Sequence, residues 1–364
     1  MERRIVFHID FDYFYAQCEE IRDSKIKGKC VAVCIFSERG GDSGAIATAN
    51  YNARKFGVKS GIPIVLAKNK LKEQTDAVFL PADFDYYSDV SSKAMEIIEK
   101  YADVFEYVGR DEAYLDVTKK TEGSFDKAEH LAQQLKNEIR NNLKLTCSVG
   151  ITPNKLLSKI ASDFKKPDGL TTVRPEQIEQ FLSPLKIREI PGIGKKTENV
   201  FLEMNVKTIE ELTKIDVFDL NKMFGRKTGG YIFNSARGID NEVVKPRPPT
   251  IQFSKITTLK KNSKELGFLQ ENVEELCIQL NRLAIENNKM YRSIGIQFVN
   301  EDLSTKTKSR MLRNPGNNLD ELKKTAIQLL EEALTEQEML VRRIGIRISE
   351  FSDVEGQSSI TSYF

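Results

Sequence analysis

The sequence predicts an α+β chain of several domains, and three observations predict it. Short β-rich runs alternate with helical spacing up to about residue 173, the chain then reads as all-helical to about residue 240, and after a proline-broken stretch it closes in the order strand, helix, strand, strand, helix, strand. At 364 residues the chain is long for one domain, and roughly 100–200 residues per domain makes two to four units the expectation.

Taken in order, Ile5–Ile9 is a β-rich run that ends at Asp10, and Val31–Phe36 is a second, followed by the turn Gly40-Gly41-Asp42-Ser43-Gly44. Val90, Ala94, Ile97 and Ile98 recur at helical spacing over 88–100. Strands at Val104–Val108 and Ala113–Val117 flank Gly109-Arg110-Asp111-Glu112, which makes a hairpin with acids at its tip. A helix over 124–142 and a strand over Thr146–Ile151 are expected to complete a sheet with helices on one side. Pro184, Pro191-Gly192-Ile193-Gly194 and Gly229-Gly230 punctuate the helical part. Asn241–Pro249 holds three prolines, Pro246, Pro248 and Pro249, and is expected as an extended linker because proline cannot continue a helix.

The closing βαββαβ unit reads as strand 251–259, helix 265–287, strands 290–300 and 304–313, helix 319–334 and strand 340–350. Its strands alternate: Ile344, Ile346 and Ile348 oppose Arg343, Gly345 and Arg347, and Ile294, Ile296 and Phe298 oppose Ser293, Gly295 and Gln297. One face is therefore core, and the other is open and basic, which suits a phosphate backbone better than a small molecule.

Composition excludes several classes. An apolar fraction of 40% and a charged fraction of 30% are those of a globular protein, and no apolar run approaches the roughly 18 residues of a membrane span. The start runs directly into a strand, so no signal peptide and a cytoplasmic location are expected. Cys18, Cys30, Cys34, Cys147 and Cys277 are odd in number and contain no Cys-x-x-Cys pair, which predicts reduced packing residues rather than disulfides or a zinc site. A net charge of +2 does not announce a nucleic-acid partner, so local clusters must carry that case, among them Lys155, Lys159, Lys165 and Lys166, and Lys306, Lys308, Arg310 and Arg313.

Asp10 at a strand end and Asp111-Glu112 at a hairpin tip can converge on one sheet edge. Transfer of a phosphoryl group to a hydroxyl asks for two hard cations ~3.5–4 Å apart and oxygen ligands able to bridge them, and this trio is the minimum set.

The wording around these acids is more specific. Ile9-Asp10-Phe11-Asp12-Tyr13-Phe14-Tyr15-Ala16-Gln17, the stretch 44–57 from Gly44-Ala45-Ile46-Ala47-Thr48-Ala49-Asn50-Tyr51 to Arg54-Lys55-Phe56-Gly57, Asp111-Glu112-Ala113-Tyr114-Leu115-Asp116, Val149-Gly150-Ile151 and Lys165-Lys166-Pro167 all carry one likeness. Through them the chain resembles the Y-family (translesion) DNA polymerases of archaeal type, from its first strand to its last residue. The resemblance implies a right-hand polymerase with an αβ palm (1–10 and 78–173), small fingers (11–77), an all-helical thumb with a helix-hairpin-helix (174–240), a linker (241–250), a βαββαβ little finger (251–352) and a tail (353–364). The activity implied is low-fidelity, template-directed nucleotidyl transfer from a dNTP to a primer 3′-hydroxyl. No further acid set of an exonuclease is present, so errors are expected to go unproofread.

Carried over residue by residue, the resemblance has Asp10 and Asp111 bridge two Mg2+ ions, with Mn2+ able to substitute, Glu112 complete the site and the Phe11 carbonyl bind the nucleotide-side ion. Asp12 is not expected to be a ligand. Tyr51, Arg54 and Lys166 match triphosphate contacts, where a guanidinium forks onto phosphate and an ammonium acts as a point charge. Tyr15 matches a steric gate beneath the incoming sugar, and Ala47 and Thr48 lie in a small-residue segment, read as a turn entering a helix, that roofs the nascent pair. Small residues there leave room for damaged bases. Lys159, seven residues before Lys166, is read as sharing its helical face and reaching the DNA backbone. Gly192, Gly194 and Lys195 form the hairpin turn that offers backbone N–H groups to a phosphate, while Arg343 and Arg347 are little-finger DNA contacts. Gln357, Ile360, Tyr363 and Phe364 resemble a peptide that binds a sliding clamp (PCNA), and a monomer is expected. One departure stands out: the family usually has serine and then an apolar residue before Asp-Glu, where this chain has Gly109-Arg110. An inactive DNA-binding relative or a nucleotide cyclase would share the palm, but the acid trio opposes the first and the helix-hairpin-helix, basic sheet and tail oppose the second.

Overall fold

The structure, a computed structural model, describes residues 4–335 and 337–353. It divides into two compact units, the second beginning at Pro248 and taking in the short segments 35–45 and 63–65.

The β-branched and aromatic run of β1 (Val6–Phe11) gives the central strand of a five-stranded sheet. After it come α1 (Phe14–Arg22), β2 (Val31–Phe36), β3 (Gly44–Ala49), α2 (Tyr51–Lys55), α3 (Ile64–Lys70) and β4 (Val78–Pro81). The segment 44–49, expected as a small-residue turn, is instead a strand in a three-stranded sheet of order β3-β2-β4, and Val78 opposite Val31 begins its parallel pairing. The side chain of Asn50 explains where β3 stops: its oxygen accepts from the Ala53 amide at 3.0 Å, capping α2, and from the Val31 amide at 3.1 Å. Tyr51 and Arg54 are thereby fixed to the edge of β2.

Then follow α4 (Phe84–Glu99), β5 (Val104–Tyr107), β6 (Glu112–Asp116), α5 (Phe125–Leu143), β7 (Cys147–Thr152), α6 (Lys155–Phe164) and β8 (Leu170–Thr172). The sheet order β5-β6-β1-β7-β8 confirms the acid-tipped hairpin. In β1, Phe7 and Ile9 join Leu115, Val149, Ile98, Leu135 and Ile139 in one core, the side taken by α4 and α5. His8 and Asp10 point the other way, and α6 lies there, so helices cover both faces and not one. Gly150, opposite His8, makes that possible, since a β-carbon on it would run into the Ser158 carbonyl and the Ser162 amide nitrogen of α6. The third expectation corrected is that Lys159 and Lys166 share a helical face: α6 ends at Phe164, and Lys166 lies beyond it.

The helical part is α7 (Ile178–Leu182), α8 (Lys195–Glu203), α9 (Ile209–Thr213), α10 (Val217–Phe224) and α11 (Arg226–Ala236). Its core of Ile187, Ile190, Phe201 and Leu212 takes in Leu157 and Ile160, so α6 is amphipathic in two directions. Gly192 sits at φ +84°, which side chains other than glycine rarely adopt, and the Tyr231 hydroxyl donates to the Pro191 carbonyl at 2.6 Å, holding the turn against α11. The stretch 241–250 forms no helix or strand and is anchored: Val244 is buried beside Val6 and Tyr114, and the Lys245 amide donates to Glu106 at 3.0 Å.

The second unit follows the expected order: β9 (Gln252–Ser263), α12 (Leu266–Glu286), β10 (Lys289–Asn300), β11 (Thr305–Gly316), α13 (Leu319–Thr335) and β12 (Val341–Asp353), in the sheet order β11-β10-β12-β9. Ile294, Ile296, Phe298, Ile344, Ile346 and Ile348 face the helices, and Arg343 and Arg347 are exposed on the other face. Not all of the basic residues read as a surface cluster join them. Lys308 and Arg310 stand opposite Ile296 and Ile294 and so turn to the helix side, where both pair with Glu332. All five cysteines are buried, no disulfide occurs among the described residues, and no helix of the described residues is long and apolar enough to cross a membrane.

Candidate active site

The site is built by two antiparallel registers. Pairing of β1 with β6 sets Asp10 opposite Glu112, and the Phe11 amide donates to the Asp111 carbonyl at 2.8 Å, drawing the strand end onto the hairpin tip. Asp10 and Glu112 thus stand opposite each other, with Asp111 next to Glu112 at the hairpin tip. Asp12, by contrast, is fully buried, and its two oxygens accept from Ser148 at 2.9 Å, Thr146 at 2.8 Å and the Asp168 amide at 2.8 Å. Its oxygens are spent on holding the loop that carries Lys166.

Lysines occupy the acids. Lys166 reaches Asp10 at 2.7 Å and Asp163 at 2.7 Å, and Lys159 pairs with Glu112. Lys155, first of the four lysines read as one basic cluster, is buried between Glu106 at 2.9 Å and Glu242 at 3.0 Å. Three of that cluster's four lysines are therefore ion-paired, while Lys165 is exposed. Sequence reasoning missed His8, whose Nδ1 lies 2.7 Å from the Ser162 hydroxyl and whose Nε2 lies 3.2 Å from Glu112. Burial lowers His8 to about 4, so it is neutral at pH 7, and the tautomer that suits both partners donates from Nε2 to the carboxylate. That bond, ahead of the Lys159 ammonium, draws Glu112 down to about 2. The signal was available: His8 is two residues before Asp10 and so on the same face of the strand.

Asp10 behaves oppositely. Burial pushes it up to about 6, although Lys166 works against the rise, and burial together with the Glu112 charge also raises Asp111. A carboxyl raised on folding binds protons more tightly in the native state, so its stability contribution falls as pH climbs from the unfolded value toward about 6 and stays lost above it. In chelator at pH 7.5, Asp10→Asn is accordingly expected to be more stable to urea than the parent by about 1–3 kcal/mol, with the gap closing below pH ~4. A variant no more stable than the parent would contradict that ledger.

Crowded acids whose ionisation is resisted fit a cation-binding role, and an all-oxygen set fits hard ions. Among the described residues, however, no three His, Cys, Asp or Glu side chains are gathered closely enough to hold a metal ion. Lys166 and Lys159 supply the positive charge beside Asp10 and Glu112.

The nucleotide side is partly assembled. The Arg54 guanidinium lies 4.9 Å from the Tyr51 ring centroid and donates to the Ala49 carbonyl at 2.8 Å, while the Tyr51 hydroxyl is buried with no hydrogen-bond partner among the described residues. A buried hydroxyl without a partner is costly and points to an absent acceptor. Burial raises the Tyr51 pKa, and the charges of Asp12 and Asp10 add to the rise while those of Arg54 and Lys166 oppose it. Tyr15 stacks on Tyr87 with centroids 4.6 Å apart and meets Phe84 edge-on at 5.8 Å. Thr48 is buried and Ala47 is half-buried against the same core. Gly192, Gly194 and Lys195 are exposed at the start of α8, remote in sequence and element from the acids. Gln357, Ile360, Tyr363 and Phe364 lie outside the described residues.

The chain matches known proteins along its length. The model of the impB/mucB/samB family matches residues 9–163, the model of that family's C-terminal domain matches 251–362, and a model of the DNA polymerase-iota thumb domain matches 188–240. The chain is 65% identical to DNA polymerase IV of Nitrosopumilus maritimus over 364 residues, covering 100% of both. It is 36% identical to DNA polymerase IV of Saccharolobus solfataricus, covering 97% of this chain and 98% of the other. Among solved structures, a Y-family DNA polymerase chimera of Dbh and Dpo4 superposes with a TM-score of 0.87 at 34% identity, and an insertion ternary complex of Dbh DNA polymerase with 0.69 at 34%, each covering 95% of this chain and 98% of the other.

Proposed function

The chain belongs to the Y-family of DNA polymerases, of archaeal type, and from that membership we propose that Asp10, Asp111 and Glu112 hold two Mg2+ ions, for which Mn2+ can substitute, at the point where a dNTP meets a primer 3′-hydroxyl. The enzyme is a translesion DNA-directed DNA polymerase; the residue roles are the proposal. What supports it is the register that sets Asp10 opposite Glu112 with Asp111 next to it at the hairpin tip, Asp10 being pushed up to about 6 by burial, and the unpartnered Tyr51 hydroxyl. The ions would lower the pKa of the primer hydroxyl and neutralise phosphate charge. The Phe11 carbonyl is the remaining oxygen ligand in this reading.

The residues of the chain bind and orient. Tyr51 donates to a phosphate oxygen, Arg54 forks onto the triphosphate, and Lys166 exchanges Asp10 for phosphate, which frees the carboxylate for the metal. Lys159 leaves Glu112 for the DNA backbone in the same exchange. Lys166→Ala should therefore weaken apparent dNTP affinity about tenfold or more in single-nucleotide insertion kinetics, since a charged hydrogen bond is lost, and an unchanged KM would contradict the clamp. The Tyr15 ring lies beneath the incoming sugar, and Ala47 and Thr48 form a loose roof over the pair, leaving damaged bases room to fit.

Primer-template DNA is held without reading its sequence. Gly192, Gly194 and Lys195 offer N–H groups and charge at the start of α8, and Arg343 and Arg347 project from the open face of the second unit's sheet. Such backbone contacts are salt-sensitive, so the enzyme is expected to leave after few insertions unless tethered. Gln357, Ile360, Tyr363 and Phe364 supply the tether by docking on a trimeric sliding clamp, and the polymerase works as a monomer in the cytoplasm without proofreading. Deleting 357–364 should leave basal extension intact on singly primed circular DNA and abolish stimulation by a loaded clamp; stimulation equal to that of the intact chain would remove the tail from this reading.

A further inference from the structure

We infer that Lys136 is a positioning residue for the nucleotide: from α5 it pins the loop between α6 and β8, so that Lys166 is presented to the triphosphate from a fixed backbone. The inference rests on Lys166 being a triphosphate contact.

Lys136 lies on the core side of α5 with Ala132, Leu135 and Ile139, and its side chain is only 4% exposed. Each of the three ammonium protons has an acceptor: the Cys147 carbonyl at 2.5 Å, the Asp168 carboxylate at 2.8 Å and the Gly169 carbonyl at 3.0 Å. Cys147 opens β7 of the five-stranded sheet, whereas Asp168 and Gly169 belong to the loop. One buried cation therefore ties the loop to the sheet.

The other anchors of the loop converge on the same two residues. The Asp168 amide donates to the Asp12 carboxylate at 2.8 Å and the Gly169 amide to the Ser148 hydroxyl at 3.1 Å, while the Gly169 carbonyl also accepts from the Val149 amide at 3.0 Å. The loop is tightly closed as well, since a β-carbon on Gly169 would stand 2.4 Å from the Lys165 carbonyl oxygen. Lys166 sits two residues before Asp168, and its ammonium holds Asp10 and Asp163, each at 2.7 Å.

A point charge on a flexible stem serves a phosphate only as well as its backbone is placed. To bind the triphosphate, Lys166 has to give up a carboxylate, and a loop free to shift would let the whole residue stay with its acids. Lys136 opposes that shift, because moving Asp168 and Gly169 away would strand a buried ammonium without acceptors, which is far less favourable than baring an exposed one. Arg140 gives the contrast. One turn along α5 it pairs with the other Asp168 oxygen, but it is 44% exposed, and an exposed pair restrains little.

The test compares KM and kcat for single-dNTP insertion by the full chain and by Lys136→Met, which keeps an unbranched apolar stem and removes the charge. KM for the dNTP should rise about tenfold with kcat within about threefold, the scale of one charged hydrogen bond. Arg140→Met should leave both within about twofold. Ser148→Ala, which leaves every charge in place and frees the Gly169 amide and one Asp12 oxygen, should raise KM about threefold, and it decides the matter if Lys136→Met does not fold. In a Lys166→Ala background, Lys136→Met should raise KM no further. An unchanged KM in Lys136→Met, or in Ser148→Ala where that variant has to decide, would overturn the inference. So would a fall in kcat without a rise in KM, or a KM rise that persists in full without the Lys166 side chain, since either reduces Lys136 to packing. The two levels fail separately: if Lys166→Ala itself leaves KM unchanged, the clamp is wrong, whereas a raised KM in Lys166→Ala beside an unchanged one in Lys136→Met leaves the clamp standing and removes its support.

Discussion

Asp111→Ala should lower single-nucleotide insertion at least ~10³-fold while leaving primer-template affinity within about twofold, because several kcal/mol of charge stabilisation act on the chemistry and none on the duplex. Asp10→Ala and Glu112→Ala should do the same. Their surroundings predict different side effects, however. Asp10 is held against its own ionisation by burial, so its removal relieves the apo protein. Glu112 is satisfied by His8 and Lys159, so its removal leaves an imidazole and an ammonium without their acceptor and should lower stability. A melting profile of the two variants in chelator separates them by sign. Robust extension by Asp111→Ala protein free of contaminating polymerase would sink the assignment.

Tyr15→Ala is expected to raise ribonucleotide insertion roughly 10²-fold relative to deoxynucleotide insertion, since a shape contact with one extra group discriminates on that scale. The alternative is plain packing, for which the stacked Tyr87 and the adjacent Phe14 are fair evidence. Packing predicts a loss of stability and of both activities together. Only a gate moves the sugar ratio.

What the sequence revealed and what it hid follow from the range of each interaction. The βαββαβ order and its two faces were legible because period-2 alternation in 294–298 and 343–348 is a local pattern. The acids were legible for a similar reason: Asp10 lies near the end of a strand and Asp111 at the turn of a hairpin. Gly44–Ala49 was hidden because glycine, alanine and threonine give no burial period, and its strand character comes from its neighbour β2. The two-sided role of α6 was hidden because Gly150 opens the space for it 8 to 12 residues away in sequence, at Ser158 and Ser162. Charges were the least legible part. Lys155, Lys159 and Lys166 read as one cationic face, yet each is matched to an acid that lies 49, 47 and 156 positions away, at Glu106, Glu112 and Asp10. Arg110 was visible only as a departure from pattern, and no spacing rule connects it to Ser88 and Phe84, the residues its guanidinium meets.

One measurement decides whether the carboxylate edge performs metal-assisted nucleotidyl transfer: single-turnover insertion of one dNTP on a primer-template, begun in chelator and followed through a titration with Mg2+. The two-ion reading predicts no insertion above background in chelator, a rate that climbs to saturation with Mg2+ in the parent, and no comparable climb in Asp111→Ala at any concentration. Insertion in chelator at a rate near that reached with saturating Mg2+ would contradict it.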